Sequence, residues 1–419
     1  MDIIDLKVIW VVIALAFTTH IIAQNPSGTD TISNQLETPR RDIKEATLLT
    51  ATEKLEDKDF KGSWPMFGTD LRMKIGGYLK ADFLYDFDGT TDKNQFLMST
   101  IPVEGQPEYG NEGYYSFFAK ETRINLDIRR MVAGKLPLQA FIEGDFFTDS
   151  GQFRLRHAYI TAGDFIIGQT WTTLSFLESM ANMIDFAAGD ALFGGRTVQI
   201  RYQKQLSESL KFYAGLENLS SLGIENPNNL PGEANIQIPL LALRLDKRWK
   251  TGVLFMGASI AQLRWDGGDT GPSDQIPQLS LVLAGRQYIG KSNYFTFNVS
   301  TGSAYGENII AFAGSDANAV LNQDGELEAI EGLSAMVGFM HRWTQKLESN
   351  FNYAYGWLDA PEDRDPFALK RGGIGHLNFI YTFDKHFSTG VEYMWGAQRT
   401  ANDAYGSAGR LQMMAKFSF

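Results

Sequence analysis

The last eleven residues of the chain alternate between polar and apolar side chains. On an extended strand, one face would carry Leu411, Met413, Ala415, Phe417 and Phe419, and the other Arg410, Gln412, Met414 and Lys416. A strand with one apolar face, one face that tolerates water and a terminal aromatic residue is typical of a transmembrane β-barrel. The same alternation recurs through most of the preceding chain, so few other folds are compatible with this sequence.

Sixteen segments with this alternation follow one another from Leu71 onward. Their approximate ranges are 72–86, 118–130, 136–147, 153–162, 164–171, 196–204, 209–218, 238–249, 252–265, 277–288, 292–302, 332–343, 346–357, 373–383, 386–396 and 409–419. Each has about the ten residues that a tilted strand needs to cross the hydrocarbon layer. Short and long connections alternate between them, as in an up-and-down barrel with periplasmic N- and C-termini. The sequence therefore predicts an all-β fold, a 16-stranded antiparallel transmembrane β-barrel.

The second segment indicates what lies inside the barrel. One strand face would carry Phe118, Ile124, Leu126 and Ile128, and the other Glu121, Arg123, Asn125, Asp127 and Arg129. Five ionisable or amide groups on one face would be very costly in a closed hydrophobic core, whereas a water-filled lumen solvates them. The pattern therefore favours a wide barrel over a packed β-sandwich.

The N-terminus has the pattern of an export signal. Lys7 precedes an apolar run, Val8–Phe17, that is too short to span a bilayer, and Ala23 is a suitable cleavage position. A retained membrane anchor is the alternative. The predicted domains are a signal peptide (1–23), a polar periplasmic N-terminal leader (24–70) and the barrel (71–419).

Composition argues against several other classes of protein. The net charge of −11 disfavours nucleic acid as a partner, and the absence of cysteine excludes disulfide and thiol chemistry. Outside the signal, the histidines are His157, His341, His376 and His386, and no Gly-x-Ser-x-Gly motif occurs. We therefore predict that the protein is not an enzyme and has no cofactor and no metal site. The acidic stretch 316–331 lacks the spacing of a calcium loop and is predicted to be solvated and external.

The connection after the fifth segment, residues 172–195, is unusually apolar for a surface loop. Its apolar residues recur at helical spacing, at Leu174, Leu177, Met180, Ala181 and Ile184. Folding inward against the barrel wall would bury these side chains and narrow the pore, so we predict an inward-folded third loop. Glu178, Asp185 and Asp190 would then project into the lumen. An external cap over the barrel is the alternative.

Arginines recur on the faces that are predicted to line the lumen. They are Arg123 and Arg129 on the second segment, Arg154 and Arg156 on the fourth, and Arg201 on the sixth, and Arg244 and Arg248 continue the series on the eighth. Rings of arginine or lysine favour anions in a pore. Because Glu121, Asp127, Glu143 and Asp145 share the lumen, a wall of compensated charge is the alternative. His157 would lie on the opposite face with Leu155 and Tyr159, near a membrane interface or against a neighbouring subunit.

Several of these segments resemble the DcaP-like porins. The similar stretches are Phe60–Asp86, Phe153–Tyr159, Ile167–Trp171, Asp185–Asp190 and Gln199–Tyr202, and the resemblance is most specific over about residues 60–205. It implies a trimeric, sixteen-stranded outer-membrane channel with an inward third loop and a preference for small anions such as dicarboxylates. It also implies that Arg154, Arg156 and Arg201 lie at the constriction. The leader departs from the family in lacking a convincing coiled coil, and the loop carboxylates leave the net sign of the constriction open.

These patterns predict an outer-membrane porin, which admits small polar solutes by passive diffusion with a preference for anions. The expected partners are small anionic solutes, outer-membrane lipid and, from the resemblance, two further copies in a homotrimer. An adhesin or structural barrel with ligand-binding external loops is the alternative. Single-channel conductance would separate the two, because a plugged barrel passes little current.

Overall fold

The computed structural model describes residues 57, 59–187, 189–219, 221–359 and 361–419. The predicted signal peptide, residues 1–23, and residues 24–56 of the predicted leader lie outside the described residues. Immediately before the barrel, the short strand Trp64–Pro65 pairs with Met73 and Arg72. Among the described residues, no helix is both long and apolar enough to cross a membrane.

Sixteen antiparallel strands form one closed barrel. They are β1 Arg72–Asp86, β2 in two pieces, Tyr114–Phe118 and Arg123–Arg130, β3 Leu138–Asp145, β4 Arg154–Ala162, β5 Phe165–Trp171, β6 Arg196–Ser207, β7 Leu210–Glu217, β8 Leu240–Trp249, β9 Gly252–Asp266, β10 Asp274–Ile289, β11 Asn293–Ser303, β12 Glu331–Arg342, β13 Leu347–Asp359, β14 Leu369–Thr382, β15 Phe387–Thr400 and β16 Tyr405–Ser418. Closure comes from the pairing of β16 with β1, from Tyr78 opposite Ser418 to Asp86 opposite Arg410. The predicted fold class is confirmed.

The two faces of the wall have the opposite character from those of a soluble protein. Exposed positions of the strands are apolar, as at Leu79, Leu243 and Leu281, which are 55, 44 and 61 % exposed. Buried positions include charged side chains, among them Asp82 and Arg410, which are fully buried. A strand that alternates in this way presents apolar groups to lipid and polar groups to the barrel interior, here called the lumen face.

An extra residue in β2 changes the face on which its first piece lies. Phe118 pairs with Asp82 and Arg123 pairs with Tyr78, so β2 uses one residue more than β1 between the two pairs. Such a bulge reverses the alternation. Phe118 is therefore buried on the lumen face and Phe117 is exposed instead. The prediction that Phe118 shares the outer face with Ile124 is wrong for this reason.

A second bulge corrects the predicted position of His157. Leu155 pairs with Gly144 and His157 with Glu143, which leaves Arg156 as the extra residue. His157 is consequently buried, and its Nδ1 lies 3.0 Å from Thr170 Oγ1. The prediction that it shares the outer face with Leu155 is wrong, because the bulge brings both Arg156 and His157 to the lumen side.

The two ends of the barrel differ in their connections. At one end, here called the turn end, the strands are joined by short turns such as 163–164, 208–209 and 250–251. At the other, the loop end, long segments such as 87–113, 172–195 and 304–330 join them. The last connection, 401–404, is shorter than predicted, because the run of small residues around Gly406–Gly409 extends the strands although it lacks an apolar alternation.

Segments of the loop end pack against one another rather than standing in solvent. Ile224–Glu225, Ala319–Leu321 and Leu327–Ala329 form a separate three-stranded sheet. Val320 and Leu321 are fully buried. The prediction that residues 316–331 form a solvated external loop therefore holds for the exposed Asp324, Glu326 and Glu328 but not for the buried apolar residues of the same stretch. Its acidic residues had suggested exposure, but its central apolar residues determine where it packs.

A substitution at Gly77 tests whether β1 needs a glycine where the backbone of β2 approaches it closely. Its φ is +149°, and a Cβ there would lie 2.2 Å from the carbonyl oxygen of Arg123. We expect Gly77→Ala to cost roughly 1–3 kcal/mol, the usual scale for backbone strain. Urea titration of the barrel folded in lipid vesicles would measure this change.

The matched control is Gly76→Ala, where the Cβ would meet only the side-chain Oδ1 of Asn125 at 2.9 Å, a group that can rotate away. Equal effects of the two substitutions would contradict the assignment of Gly77 as the strained position.

Candidate functional site

The segment 172–195, here called the constriction segment, lies against basic side chains of the lumen face along its first part. The Arg244 guanidinium on β8 donates to the carbonyl oxygens of Thr173 and Ser175 at 3.1 and 3.2 Å. That of Arg286 on β10 donates to the carbonyl oxygens of Glu178 and Met180 at 2.8 and 3.2 Å. Cationic wall side chains therefore satisfy backbone acceptors of this part of the segment.

The next part of the segment lies against an acidic side chain. The carboxylate of Glu392 on β15 accepts hydrogen bonds from the backbone N–H groups of Ile184 and Asp185, at 2.7 and 3.1 Å. It also accepts one from Asn378 at 2.8 Å and lies 3.1 Å from His376 Nδ1. Glu392 is fully buried, so these four contacts replace the water that a carboxylate would otherwise bind.

Apolar contacts hold the same segment. The ring of Phe176 stacks on Phe255 of β9, with centroids 5.2 Å apart. Ile184 packs with Ile380 and Met414 of the wall. Of the apolar positions from which an inward fold was expected, Leu174, Ala181 and Ile184 are buried, whereas Leu177 is 43 % exposed.

The two aspartates of the segment are buried and do not face open water. Asp185 Oδ2 accepts from the N–H of Ala187 at 3.0 Å and of Phe96 at 3.4 Å, and Asp190 Oδ2 accepts from the N–H of Met98 at 3.1 Å. Residues 87–113, which hold Phe96 and Met98, thus pack on the constriction segment. Burial raises the pKa of Asp185 to about 6 and that of Asp190 to about 7, while the nearby His376 opposes the shift in both. Each carboxylate leaves Oδ1 without a hydrogen-bond partner among the described residues.

Most of the arginines predicted from the sequence are paired with acids. Arg154 and Arg156 share Asp145, at 2.9 and 2.6 Å, and Arg156 also lies 3.2 Å from Glu143. Both guanidinium groups lie 5.4 Å from the ring of Phe186, so they also contact the constriction segment.

Two further predicted residues form ion pairs that are partly exposed. Arg129 lies 2.6 Å from Asp127. Glu178, which was predicted to project into the lumen, pairs with Arg248 of β8. These pairs fit the compensated wall that was the alternative reading of the sequence.

A different group of cations is left without carboxylate partners. Arg201 donates to Gln199 Oε1 and to the carbonyl oxygen of Trp171. Lys211 donates to Gln203 Oε1 at 3.1 Å, and Arg286 donates to the carbonyl oxygens described above. Within the described part of the chain, none of these three cations forms an ion pair.

Tyr78 of β1, five to seven strands around the barrel from β6, β7 and β10, lies between two further cations. The Arg123 guanidinium is 5.3 Å from its ring and the Lys416 ammonium 4.4 Å. Arg123 is 4.0 Å from Glu143, a long ion pair, and Lys416 has no carboxylate partner among the described residues. Lys416 also pairs in register with Lys80. Lys80 itself is neutralised by Asp82 and Glu121.

Lys211, Arg286 and Lys416 were not among the predicted site residues. Arg286 falls on the same strand face as Gln278 and Ser280, and Lys416 on the same face as Arg410. The alternation of the sequence therefore indicated that both side chains face the lumen. Whether a cation is neutralised depends on which side chains of the neighbouring strands lie beside it. A single sequence does not give that register.

A sequence profile of one family matches most of the chain, over residues 38–419. The chain belongs to the DcaP outer membrane protein family. It is therefore a porin-type β-barrel of the outer membrane, as predicted. No curated protein sequence matches it significantly.

Solved structures share the fold of this DcaP-family chain. The outer membrane channel DcaP of Acinetobacter baumannii has a TM-score of 0.71 at 20 % identity, over 83 % of this chain and 97 % of that one. The anion-selective porin from Comamonas acidovorans has a TM-score of 0.54 at 11 % identity, over 83 and 100 %. The trimer form of OmpT from Vibrio cholerae has a TM-score of 0.52 at 15 % identity, over 83 and 99 %.

Removal of the Glu392 carboxylate tests what holds the constriction segment in this DcaP-family barrel. Glu392→Ala leaves two buried N–H groups without an acceptor, and each such loss costs roughly 1–3 kcal/mol. We expect a lower Tm by circular dichroism and noisier single-channel currents. Glu331→Ala, which removes an exposed carboxylate from the wall, is the control and should change neither. Quiet currents and an unchanged Tm in Glu392→Ala would show that other contacts hold the segment.

The raised pKa of Asp190 predicts that the stability of the folded protein depends on pH. Its pKa in the folded protein, about 7, lies above the ordinary value of 3.8, so the folded state binds the proton more tightly than the unfolded state does. The stability that this group contributes is complete below pH 3.8 and is lost as the pH rises through about 7. Asp190→Asn should therefore raise the Tm at pH 8, by about 2 °C or more on the usual scale for a chain of this size, but not at pH 4. An identical difference at both pH values would refute a protonation effect at this position.

Proposed function

We propose that this outer-membrane barrel is a diffusion channel for small polar solutes and that it prefers anions such as dicarboxylates. The observation that carries the proposal is the position of the unpaired cations. Arg201, Lys211 and Arg286 lie on β6, β7 and β10, and Lys416 lies six or seven strands away on β16, near Arg123, whose ion pair with Glu143 is long. Fixed positive charge on facing walls lowers the energy of an anion between them and raises that of a cation.

No catalytic step is required for this function. In the proposed pathway, the constriction segment lies inside the barrel and sets the pore radius, while the unpaired cations set the preference for charge. Arg129 would then line the pore as a neutral pair with Asp127, and Arg154 and Arg156 would line it as a compensated cluster with Asp145 and Glu143. Asp185 and Asp190 would anchor the segment instead of lining the pore.

We place the loop end outside the cell and both termini in the periplasm. Short turns on the periplasmic side and long loops on the outer side are the usual arrangement in outer-membrane barrels. We also propose a homotrimer. The trimer form of the Vibrio cholerae OmpT barrel, which shares the fold, supports this assignment.

A structural or adhesive barrel is the second candidate, and one observation favours it. At the loop end, Phe96, Ile101, Phe193 and Phe312 are almost fully buried in one apolar cluster. Such packing would narrow or close the mouth of a channel. Single-channel recording separates the candidates, since a channel gives discrete conductance steps and a plugged barrel gives none.

Lys416→Gln tests the proposed charge preference. The substitution removes one unpaired cation from the lumen face, so the reversal potential under a salt gradient should move toward that of an unselective pore. The change should shrink at high salt, because the Debye length falls from about 10 Å at 0.1 M to about 3 Å at 1 M. Planar bilayer recording measures both effects.

Lys204→Gln is the matched control, since Lys204 is exposed at the turn end and is already paired with Asp164 at 2.7 Å. It should leave the reversal potential unchanged. A cation-selective wild-type channel would refute the anion preference but would retain the channel.

A further inference from the structure

Two arginines lie directly opposite each other on the lipid-facing side of the wall at the loop end. Arg371 of β14 pairs in register with Arg399 of β15. Like charges in directly opposed positions destabilise a sheet unless a counter-charge lies near them. Arg399 donates to the carbonyl oxygen of Asp403 at 3.0 Å, and Arg371 forms no hydrogen bond or ion pair within the described part of the chain.

An aromatic groove begins immediately beside this pair. It has a volume of about 420 Å³ and is lined by Tyr353, Tyr393, Trp395 and Tyr405, among others. The Tyr405 ring lies 4.9 Å from the Arg399 guanidinium, so the groove and the charged pair are continuous. Its four aromatic lining residues lie on the lipid-facing side of their strands.

The groove exists because small residues lie between the aromatic side chains. A Cβ on Gly373 would lie 2.4 Å from the hydroxyl oxygen of Tyr353, and one on Gly409 would lie 3.2 Å from that of Tyr393. Larger residues at these positions would fill the recess or displace the rings. The recess therefore follows directly from the sequence of β14 and β16.

The charge around the groove is positive at its rim. Lys370 lies beside Arg371, 3.9 Å from the mostly exposed Asp403. Asp88 also lines the groove, but its Oδ2 accepts the backbone N–H of Gly409 at 2.7 Å. The arginine pair thus has no carboxylate within ion-pair distance among the described residues.

We propose that this site binds a phosphorylated lipid of the outer leaflet, with a phosphate between Arg371 and Arg399 and an acyl chain along the aromatic groove. A guanidinium pair recognises phosphate through charge-assisted hydrogen bonds, and the adjoining groove is apolar enough to cover a hydrocarbon chain. A ligand that fits both parts has an anionic head and a lipid tail. The inference rests on the proposed orientation, in which the loop end faces outward and meets the outer leaflet.

Native mass spectrometry of the detergent-purified protein tests the proposal with bis-phosphorylated lipid A as the probe. Wild type should bind lipid A in preference to zwitterionic phosphatidylethanolamine. The double variant Arg371→Gln/Arg399→Gln should bind it at least about tenfold more weakly, since charge-assisted hydrogen bonds typically contribute that much or more. The Arg371→Lys/Arg399→Lys variant should retain part of the binding.

Arg264→Gln is the matched control, because Arg264 lies at the loop end of β9 and is already 3.4 Å from Asp266. It should bind lipid A as wild type does. Equal binding by the double glutamine variant, or no preference of wild type for lipid A, would overturn the proposal. Full displacement of lipid A by equimolar pyrophosphate would also overturn it, because the site would then recognise the anion alone.

A second copy of the chain is the competing occupant of this face. The absence of native cysteine allows Ser407→Cys to be placed on the groove wall as a single thiol. A membrane-soluble maleimide should label it in the assembled protein, and lipid A should protect it. Labelling only after dissociation into protomers would assign the face to an interface between copies and overturn the proposal. Neither assay measures ion flow, so its outcome is independent of the proposed channel function.

Discussion

A chain segment inside a barrel has backbone donors and acceptors that bulk water does not freely reach, and each of these groups needs a partner. The wall supplies partners of both kinds to the constriction segment. Arg244 and Arg286 donate to its carbonyl oxygens, and Glu392 accepts from its N–H groups. The charge of each wall side chain is opposite to the partial charge of the backbone group that it contacts. This complementarity holds the segment against the wall and, in the proposed pathway, determines what space is left for a solute.

The same constraint divides the charged side chains of the lumen into two classes. Charges that hold the wall or the segment together are neutralised, as in the pair of Arg156 with Asp145 and in the contacts of Glu392. Cations such as Lys416 and Arg201 have neutral partners, so no neighbouring carboxylate among the described residues cancels their positive charge. A pore can therefore contain many arginines and carboxylates and still be governed by a few side chains. The total number of charges on the lumen face is a poor guide to selectivity.

The alternation of the strands predicted the barrel, its sixteen strands and the inward direction of residues such as Arg201 and Asp145. It failed at Phe118 and His157, because each bulge adds one residue and reverses the alternation. The roles of Asp185 and Asp190 could not be predicted either. Their partners, such as the backbone N–H of Met98, come from a distant loop with no strand pattern.

The location of the constriction segment is tested most directly by chemical modification of Asn182, which is exposed and lies on the segment beside Glu348. Asn182→Cys would be the only thiol in the chain. During single-channel recording, a bulky charged thiol reagent added at the turn end should reduce the current. Complete modification with no change in current, or reaction only from the loop end, would contradict a segment that narrows the pore.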